Sequence, residues 1–557
     1  MIHGFFRGTV AVALLMTAAP LISAQEATPT FTRADTLRGT ITPERSWWDV
    51  VFYDLHVRVN PADSSISGWN GITYRVVEAP REMQIDLFAN LEVDSILQDG
   101  RPLQYRREGN AIFVTGVANA PIGAIDTVTV HYHGKPTVAA NAPWDGGFDW
   151  SQDRNGNPFV ATAVQGMGAS AWWPNKDHQS EEPDSQRIAI TVPAPLVDVS
   201  NGRLRSRREN DDGTVTYEWF VSNPINNYNV AANIGDYAHF SDVYQGEAGE
   251  LTLDFWPLSY NLEAARRQWQ QTKPMLACFE HWFGPYPWYE DGFKLVETPH
   301  LGMEHQSAVA YGNGYGNGYR GRDLSGTGYG LKWDFILVHE AGHEWFGNNV
   351  TTEDIADMWV HEGFTNYSEG LYTECRSGKE AGAQYIIGSR RNIQNDRPIV
   401  GVYGVNNEGS GDMYYKTGSM LHMIRQIIDD DELWRSILRG INQDFRHQTV
   451  TGTEIQAYIN RRSGKDFSRV FQQYLTTTEI PQLEYHFEGN ELRFRWQNVV
   501  EGFDMPVRVW LGNELRWLQP TQEWQTVTVS PADPESFRVD DDFYVEAVAL
   551  EGAGSSG

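Results

Sequence analysis

The chain has 557 residues and carries 44 Lys+Arg against 73 Asp+Glu, a net charge of −29. So acidic a surface repels nucleic acid and anionic membranes, which excludes nucleic-acid partners, and it favours a protein dispersed outside the cell that takes cationic substrates. Two cysteines at this length exclude a disulfide scaffold; two buried free thiols, Cys278 and Cys375, are expected, with a single bridge as the alternative.

In chain order, residues 1–24 have the composition of a secretory leader. Arg7 supplies a short positive start, Val10 to Leu21 an apolar stretch too short to span a bilayer, and Ser23-Ala24 a small-residue cleavage site. No Cys follows the expected cut, so no lipid anchor is expected, and no later run is apolar enough for a membrane span. The expected location is secreted or periplasmic. Residues 25–46 are polar and read as a linker. From 47 to 250 short alternating runs, such as Tyr53 to Val59 and Ile72 to Val77, predict an all-β domain with a turn at Asp99-Gly100. Helical patterns take over at 251, beginning with Leu262 to Phe283, and predict a mainly helical domain over 251–480. Within it, residues 312–330 are rich in glycine. Gly316, Gly318 and Gly321 spell GxGxxG without the strand before or the helix after that a nucleotide loop needs, so the stretch reads as a flexible loop. After Pro481 alternation returns in Leu492, Phe494, Trp496 and in Val507, Val509, Leu511. With the turn Gly489-Asn490 it predicts a small β-sandwich over 481–550, followed by a disordered tail, 551–557. The fold class is multidomain α+β.

The chemistry concentrates in the stretch from His339 to Glu362, HEAGHEWFGNNVTTEDIADMWVHE. His339 and His343 are one helical turn apart, so two imidazoles can reach one metal ion. Glu340 is offset around the helix and is placed to touch a water rather than the metal. Eighteen residues after His343, Glu362 falls in a second apolar stretch and completes a two-His, one-Glu set with a position left for water, the pattern of catalytic zinc. Ile336, Leu337 and Val338 before the motif and Trp345-Phe346 after it indicate a buried helix rather than two solvated histidines.

These motifs, with Gly363-Phe364-Thr365-Asn366-Tyr367 after the second Glu, resemble the zinc aminopeptidase family typified by aminopeptidase N. Phe283-Gly284-Pro285-Tyr286-Pro287-Trp288, Gly302-Met303-Glu304-His305 and Tyr414-Tyr415-Lys416-Thr417-Gly418 appear in the family's order. The resemblance implies one Zn2+ on His339, His343 and Glu362, a thermolysin-like catalytic domain, and peptides with a free N-terminus as substrates. It implies Glu340 as general base and Tyr414 as the oxyanion stabiliser; Tyr415 is a rival, because Thr417 intervenes before the glycine that the family has directly after this lysine. Glu304 corresponds to the carboxylate that binds the substrate α-amine, within the substrate-binding stretch Gly302, Met303, Glu304. His305 stands where the family has Asn, which puts one contact to substrate backbone in question. Gln165 is assigned to the same amine, and Glu369 to the orientation of a metal ligand from behind. His361, beside a ligand, is not expected to be one. The family's C-terminal helical cover has no counterpart before residue 557, so the cleft is expected to be open, or closed by a second copy in a homodimer, with the loop 312–330 as a local lid. Three other readings stand beside the aminopeptidase: an inactive secreted binding homologue, disfavoured because base, ligands and tyrosine are all present; a zinc endopeptidase, which would not need Glu304; and a hydrolase of non-peptide substrates.

Overall fold

The computed structural model describes residues 30–529 and 537–550. The expected leader 1–24 and tail 551–557 lie outside these residues. The N-terminal part is β-structure. Its largest sheet has eight strands, with Trp48–Asn60 and Ser65–Val76 paired antiparallel at its centre and Ser185–Pro193 running parallel to the first. Along Trp48–Asn60 the residues Tyr53, Leu55, Val57 and Val59 are buried and alternate with more exposed ones, and a bulge between Val50 and Phe52 shifts that alternation by one residue. A four-stranded and a three-stranded sheet close the core, which is filled by Trp47, Trp48, Trp172 and Trp173.

The stretch expected to be a linker is structured where it is described. Arg33–Gly39 is a helix closed by a capping box between Thr32 and Asp35, and Pro43–Ser46 forms another turn. Arg45 is fully buried and pairs with Asp86 at 2.6 Å. Polar composition suggested a loop, but here the polar groups are spent on specific buried partners.

The helical domain also differs from expectation at its start. Gly249–Trp256 is a strand, and it joins Phe240–Gly246, Phe293–Glu297, Val309–Tyr311 and Gly302–Met303 in a five-stranded sheet; the first α-helix begins only at Leu262. Three of these strands are short and largely buried on both faces, so they carry no alternation to read. Helices follow from Leu262 to Thr476. Cys278 and Cys375 are bridged, not free. The helices Thr272–Phe283 and Trp359–Ser377 pack side by side and bring their Cα atoms to 6.1 Å, within the reach of a disulfide; no sequence spacing could disclose this across 97 residues. Beyond Pro481 the chain forms a four-stranded and a three-stranded sheet whose core is continuous with that of the helical domain. Among the described residues no helix is long and apolar enough to cross a membrane.

Candidate active site

The helix Phe335–Gly342 is capped by Asp334, which accepts the Leu337 N–H, and every residue of it is buried. It carries His339 in its last turn and ends on His343. The chain returns through Val350–Thr352 into the helix Trp359–Ser377, whose first turn holds Glu362 near the helix's positive end. Glu362 Oε2 lies 3.3 Å from His343 Nε2 and 3.7 Å from His339 Nε2, and the three candidate ligand atoms sit within 4.8 Å of one another. That carboxylate oxygen is buried and accepts no hydrogen bond. Two imidazole nitrogens and an unpaired buried carboxylate oxygen converging on one point form a donor set that fits Zn2+.

Each histidine is oriented from behind. His339 Nδ1 lies 2.8 Å from Glu369 Oε1, and Glu369 also accepts from the Tyr385 hydroxyl at 2.7 Å and from Asn366 at 3.2 Å. His343 Nδ1 donates to the Phe346 carbonyl at 3.0 Å. Both rings therefore present Nε2 to the metal position. Burial opposes charge on both imidazoles, but the nearby Glu362 carboxylate and the hydrogen bond to Glu369 at His339, and the Glu362 and Glu304 charges beside His343, outweigh it and raise both pKa values. Burial also opposes ionisation of Glu362, yet His343 and His339 hold it well below the ordinary carboxylate range. The site is thus built for a cation, which takes the place of those protons. His361 turns away: its Nε2 accepts the Thr352 N–H at 2.9 Å.

Glu340, Glu304 and His343 also converge within 4.8 Å. Burial, with Glu304 and Glu362 nearby and against the pull of the two histidines, raises Glu340 to about 7. Gly302, on the short edge strand Gly302–Met303, comes so close that a Cβ there would lie 2.7 Å from both Glu340 Oε1 and Ile336 Cγ2, so a side chain at this position would have to displace them. Glu304 Oε1 accepts from Gln165 Nε2 at 2.6 Å and from the Tyr228 hydroxyl at 3.0 Å, while its backbone carbonyl accepts from Asn348 at 2.8 Å. Gln165 and Glu304, 139 residues apart, are thus brought together. Tyr228 was missed: it stands in a one-turn 3-10 helix, Asn227–Asn229, and no motif surrounds it.

Tyr414 caps the helix Tyr415–Ile428 and lines the same cavity, its ring 5.9 Å from that of His339; Tyr415 is not among the lining residues. Gly363 lets this helix approach Trp359–Ser377 closely, since a Cβ there would lie 2.2 Å from Thr417 Cγ2. The residue that departs from the family pattern, Thr417, thus fills the helix crossing. The cavity has a volume of about 560 Å³, with Met303 and the carboxylates of Glu304, Glu340 and Glu362 in its wall. The Gly-rich loop 312–330 does not line it. Asn317 accepts from Gln268 and Gln271, and the Leu324 carbonyl accepts from Asn392, which holds the loop against neighbouring helices instead of over the cleft. Other loops do line it: Trp144 and Asp145 come from the β domain, Asn406 and Glu408 from the helical domain.

Residues 269–474 match the peptidase family M1 domain. The chain is 21% identical over 441 residues to the probable aminopeptidase 1 of Sulfurisphaera tokodaii, covering 72% of this chain and 50% of that protein. It is 25% identical over 310 residues to aminopeptidase B of Rattus norvegicus, covering 53% of this chain and 44% of that one. The chain thus spans about half the length of the curated relatives it matches. Among solved structures, a mutant M1 zinc metallopeptidase of Deinococcus radiodurans bound to a Tyr-Ser-Ala substrate superposes with a TM-score of 0.64 at 20% identity, over 79% of this chain and 97% of that one. That likeness establishes the shared fold.

Proposed function

The chain belongs to peptidase family M1 through its helical domain, and on that premise we propose that it is a zinc-dependent aminopeptidase. The observation that carries the proposal is the second oxygen of Glu304. Gln165 and Tyr228 both donate to Oε1, which leaves Oε2 for a ligand's ammonium beside Glu340 and the His339–His343–Glu362 cluster. An endopeptidase has no use for a carboxylate held in this way. A zinc ion on that cluster supplies Lewis acidity, polarising a carbonyl and making water nucleophilic at neutral pH. The protein's own groups do the rest. Glu304 and Gln165 hold the α-ammonium and fix the first peptide bond. Glu340 removes a proton from the attacking water and delivers it to the leaving amine. The Tyr414 hydroxyl, kept protonated by burial and by the surrounding carboxylates, donates to the oxyanion. Glu369 holds His339 in place for the metal.

Hydrolysis of free against N-acetylated amino-acid arylamides, with and without a chelator, tests this reading. Free substrates alone are expected to turn over, with loss on chelation and recovery with zinc. Equal rates on both, or activity indifferent to the chelator, would overturn it. We also propose export with removal of residues 1–24; the Cys278–Cys375 bridge supports an oxidising compartment. N-terminal sequencing of the protein from the periplasm or medium checks this, a start near Gln25 being expected.

A further inference from the structure

The amine wall has a support that lies far outside residues 269–474, the part that matches the family domain. Gln165 reaches Glu304 Oε1 from a tight turn over residues 164–168. Two hydrogen bonds close this turn from within: the Gly168 N–H donates to the Val164 carbonyl at 2.7 Å, and the Met167 N–H to the Gln165 carbonyl at 2.8 Å. The next two carbonyls are held by side chains from elsewhere. Asn406 of the helical domain donates to the Gly166 carbonyl at 3.1 Å, and Arg38 Nε donates to the Met167 carbonyl at 3.3 Å. Gln165, Gly166 and Met167 all line the catalytic cavity.

Arg38 belongs to the stretch whose composition reads as a linker, and it stands in the last turn of the helix Arg33–Gly39. Its guanidinium is itself fixed: Nη1 donates to the Asp177 carbonyl at 2.6 Å and pairs with Asp177 Oδ1 at 3.2 Å. Asp177 Oδ2 in turn accepts the Ser170 N–H at 3.0 Å. Gly168 makes room for the pair, because its φ is +104° and a Cβ there would collide with Asp177 Oδ2 and Arg38 Nη2. The two residues after Arg38 reach the helical domain. Gly39 passes so close to the loop that supplies Asn406 that a Cβ would collide with the Asn406 backbone nitrogen, and Thr40 Oγ1 donates to the Gly404 carbonyl at 2.5 Å. Residues 38–40 thus touch both the turn that carries Gln165 and the loop that holds this turn from the other domain. We infer that Arg38 is a positioning residue for the amine anchor, and that residues 38–40 form a strap that keeps Gln165 in register with Glu304. The effect on catalysis rests on the aminopeptidase reading, in which Gln165 meets the substrate ammonium. A turn with glycines at 166 and 168 keeps one shape only through what is bonded to it, since glycine permits many others. Without Arg38 the Met167 carbonyl loses its donor and Asp177 the cation it pairs with, and the anchor is less preorganised for the ammonium. The side-chain bonds of Arg38 and Thr40 go to the turn, to Asp177 and to Gly404, none of them on the metal-bearing helices.

A double-mutant cycle with Gln165 tests this. Arg38→Met keeps the apolar stem and removes the guanidinium. In an otherwise wild-type, zinc-replete protein it is expected to raise KM for a free-amine arylamide about 3- to 10-fold, with kcat little changed. In a Gln165→Ala background the same change is expected to add nothing, because the strap acts through Gln165. A merely structural role would cost the same in both backgrounds, or would lower kcat. Equal costs in the two backgrounds, or an unchanged KM in Arg38→Met, overturn the inference. Thr40→Val removes one bond of the strap at less risk to folding, and is expected to show the same pattern at about 2- to 3-fold. Hydrogen exchange reads the strap without any substrate. In Arg38→Met the Met167 and Gly168 amides, which close the turn, are expected to exchange at least about tenfold faster than in the wild type, with the strand Pro158–Ala163 unchanged. Equal exchange at the turn sinks the strap. If no free-amine arylamide turns over, the aminopeptidase reading fails instead, and the exchange rates still decide for or against the strap.

Discussion

The two walls of the cavity are built by different means. The metal wall comes from one contiguous stretch, His339 to Glu362, on two helices, with Glu369 bracing His339 from the same second helix. The amine wall is assembled from three separate places: Glu304 after a two-residue edge strand, Gln165 after the strand Pro158–Ala163, and Tyr228 in a turn between strands of the β domain. Helix geometry sets the first wall, and hydrogen bonds across a domain boundary set the second. On the proposed function, the reacting groups sit on the helices, while recognition of the substrate end falls to the domain interface. Perturbing one wall should therefore act on turnover, and perturbing the other on substrate discrimination.

The sharpest division is expected from the base. Glu340→Gln removes a proton acceptor but no ligand, so zinc content should stay near one per chain while turnover falls at least about 100-fold. Metal analysis and kcat on one preparation decide this; near-normal turnover in the metal-replete variant would remove Glu340 from the role. On the other wall, Glu304→Ala should lower kcat/KM for free-amine substrates by about 30-fold or more, through loss of a charge-assisted contact, and leave the poor turnover of acetylated substrates where it was. Equal losses on both substrate types would place Glu304 in the metal wall and erase the distinction.

Tyr228→Phe probes the amine wall more gently. It removes one of the two donors on Glu304 Oε1, and a loss of about 3- to 10-fold in kcat/KM, carried by KM, is expected. The same variant should leave zinc content unchanged, and a fall in kcat with KM constant would show that Tyr228 serves the chemistry instead. The smallest effect concerns length. Because the Gly-rich loop 312–330 is held away from the cleft, peptides from two to about 15 residues, the longest reaching about 50 Å when extended, should be trimmed at similar rates at two enzyme concentrations. A steep loss with length at both concentrations would mean a cover within the chain, and a size preference that appears only at the higher one would mean closure by a second copy.

The metal wall was legible in the sequence because its information is local. A four-residue spacing on a helix fixes which side chains share a face, and apolar flanks say that the helix is buried. Glu369 and Tyr414 were legible by likeness to a motif; that Tyr414 and not its neighbour Tyr415 lines the cavity was not, because it depends on how the helix Tyr415–Ile428 packs. The β domain and the C-terminal sandwich announced themselves through alternation, which follows from strands with one buried and one wetter face. Three strands of the five-stranded sheet, Phe293–Glu297, Gly302–Met303 and Val309–Tyr311, did not, because strands buried on both faces have no alternation to show.

What remained hidden is what depends on two distant segments meeting. The Cys278–Cys375 bridge, the burial of Arg45 against Asp86, and Tyr228 on Glu304 each need the position of a partner that no local pattern encodes. The same holds for Glu408, an ordinary loop glutamate in sequence. Only the tertiary structure places it in the wall with Glu304, Glu340 and Glu362. Periodicity determines which face of an element is buried; which residues face each other across a cavity is decided by the packing of whole domains.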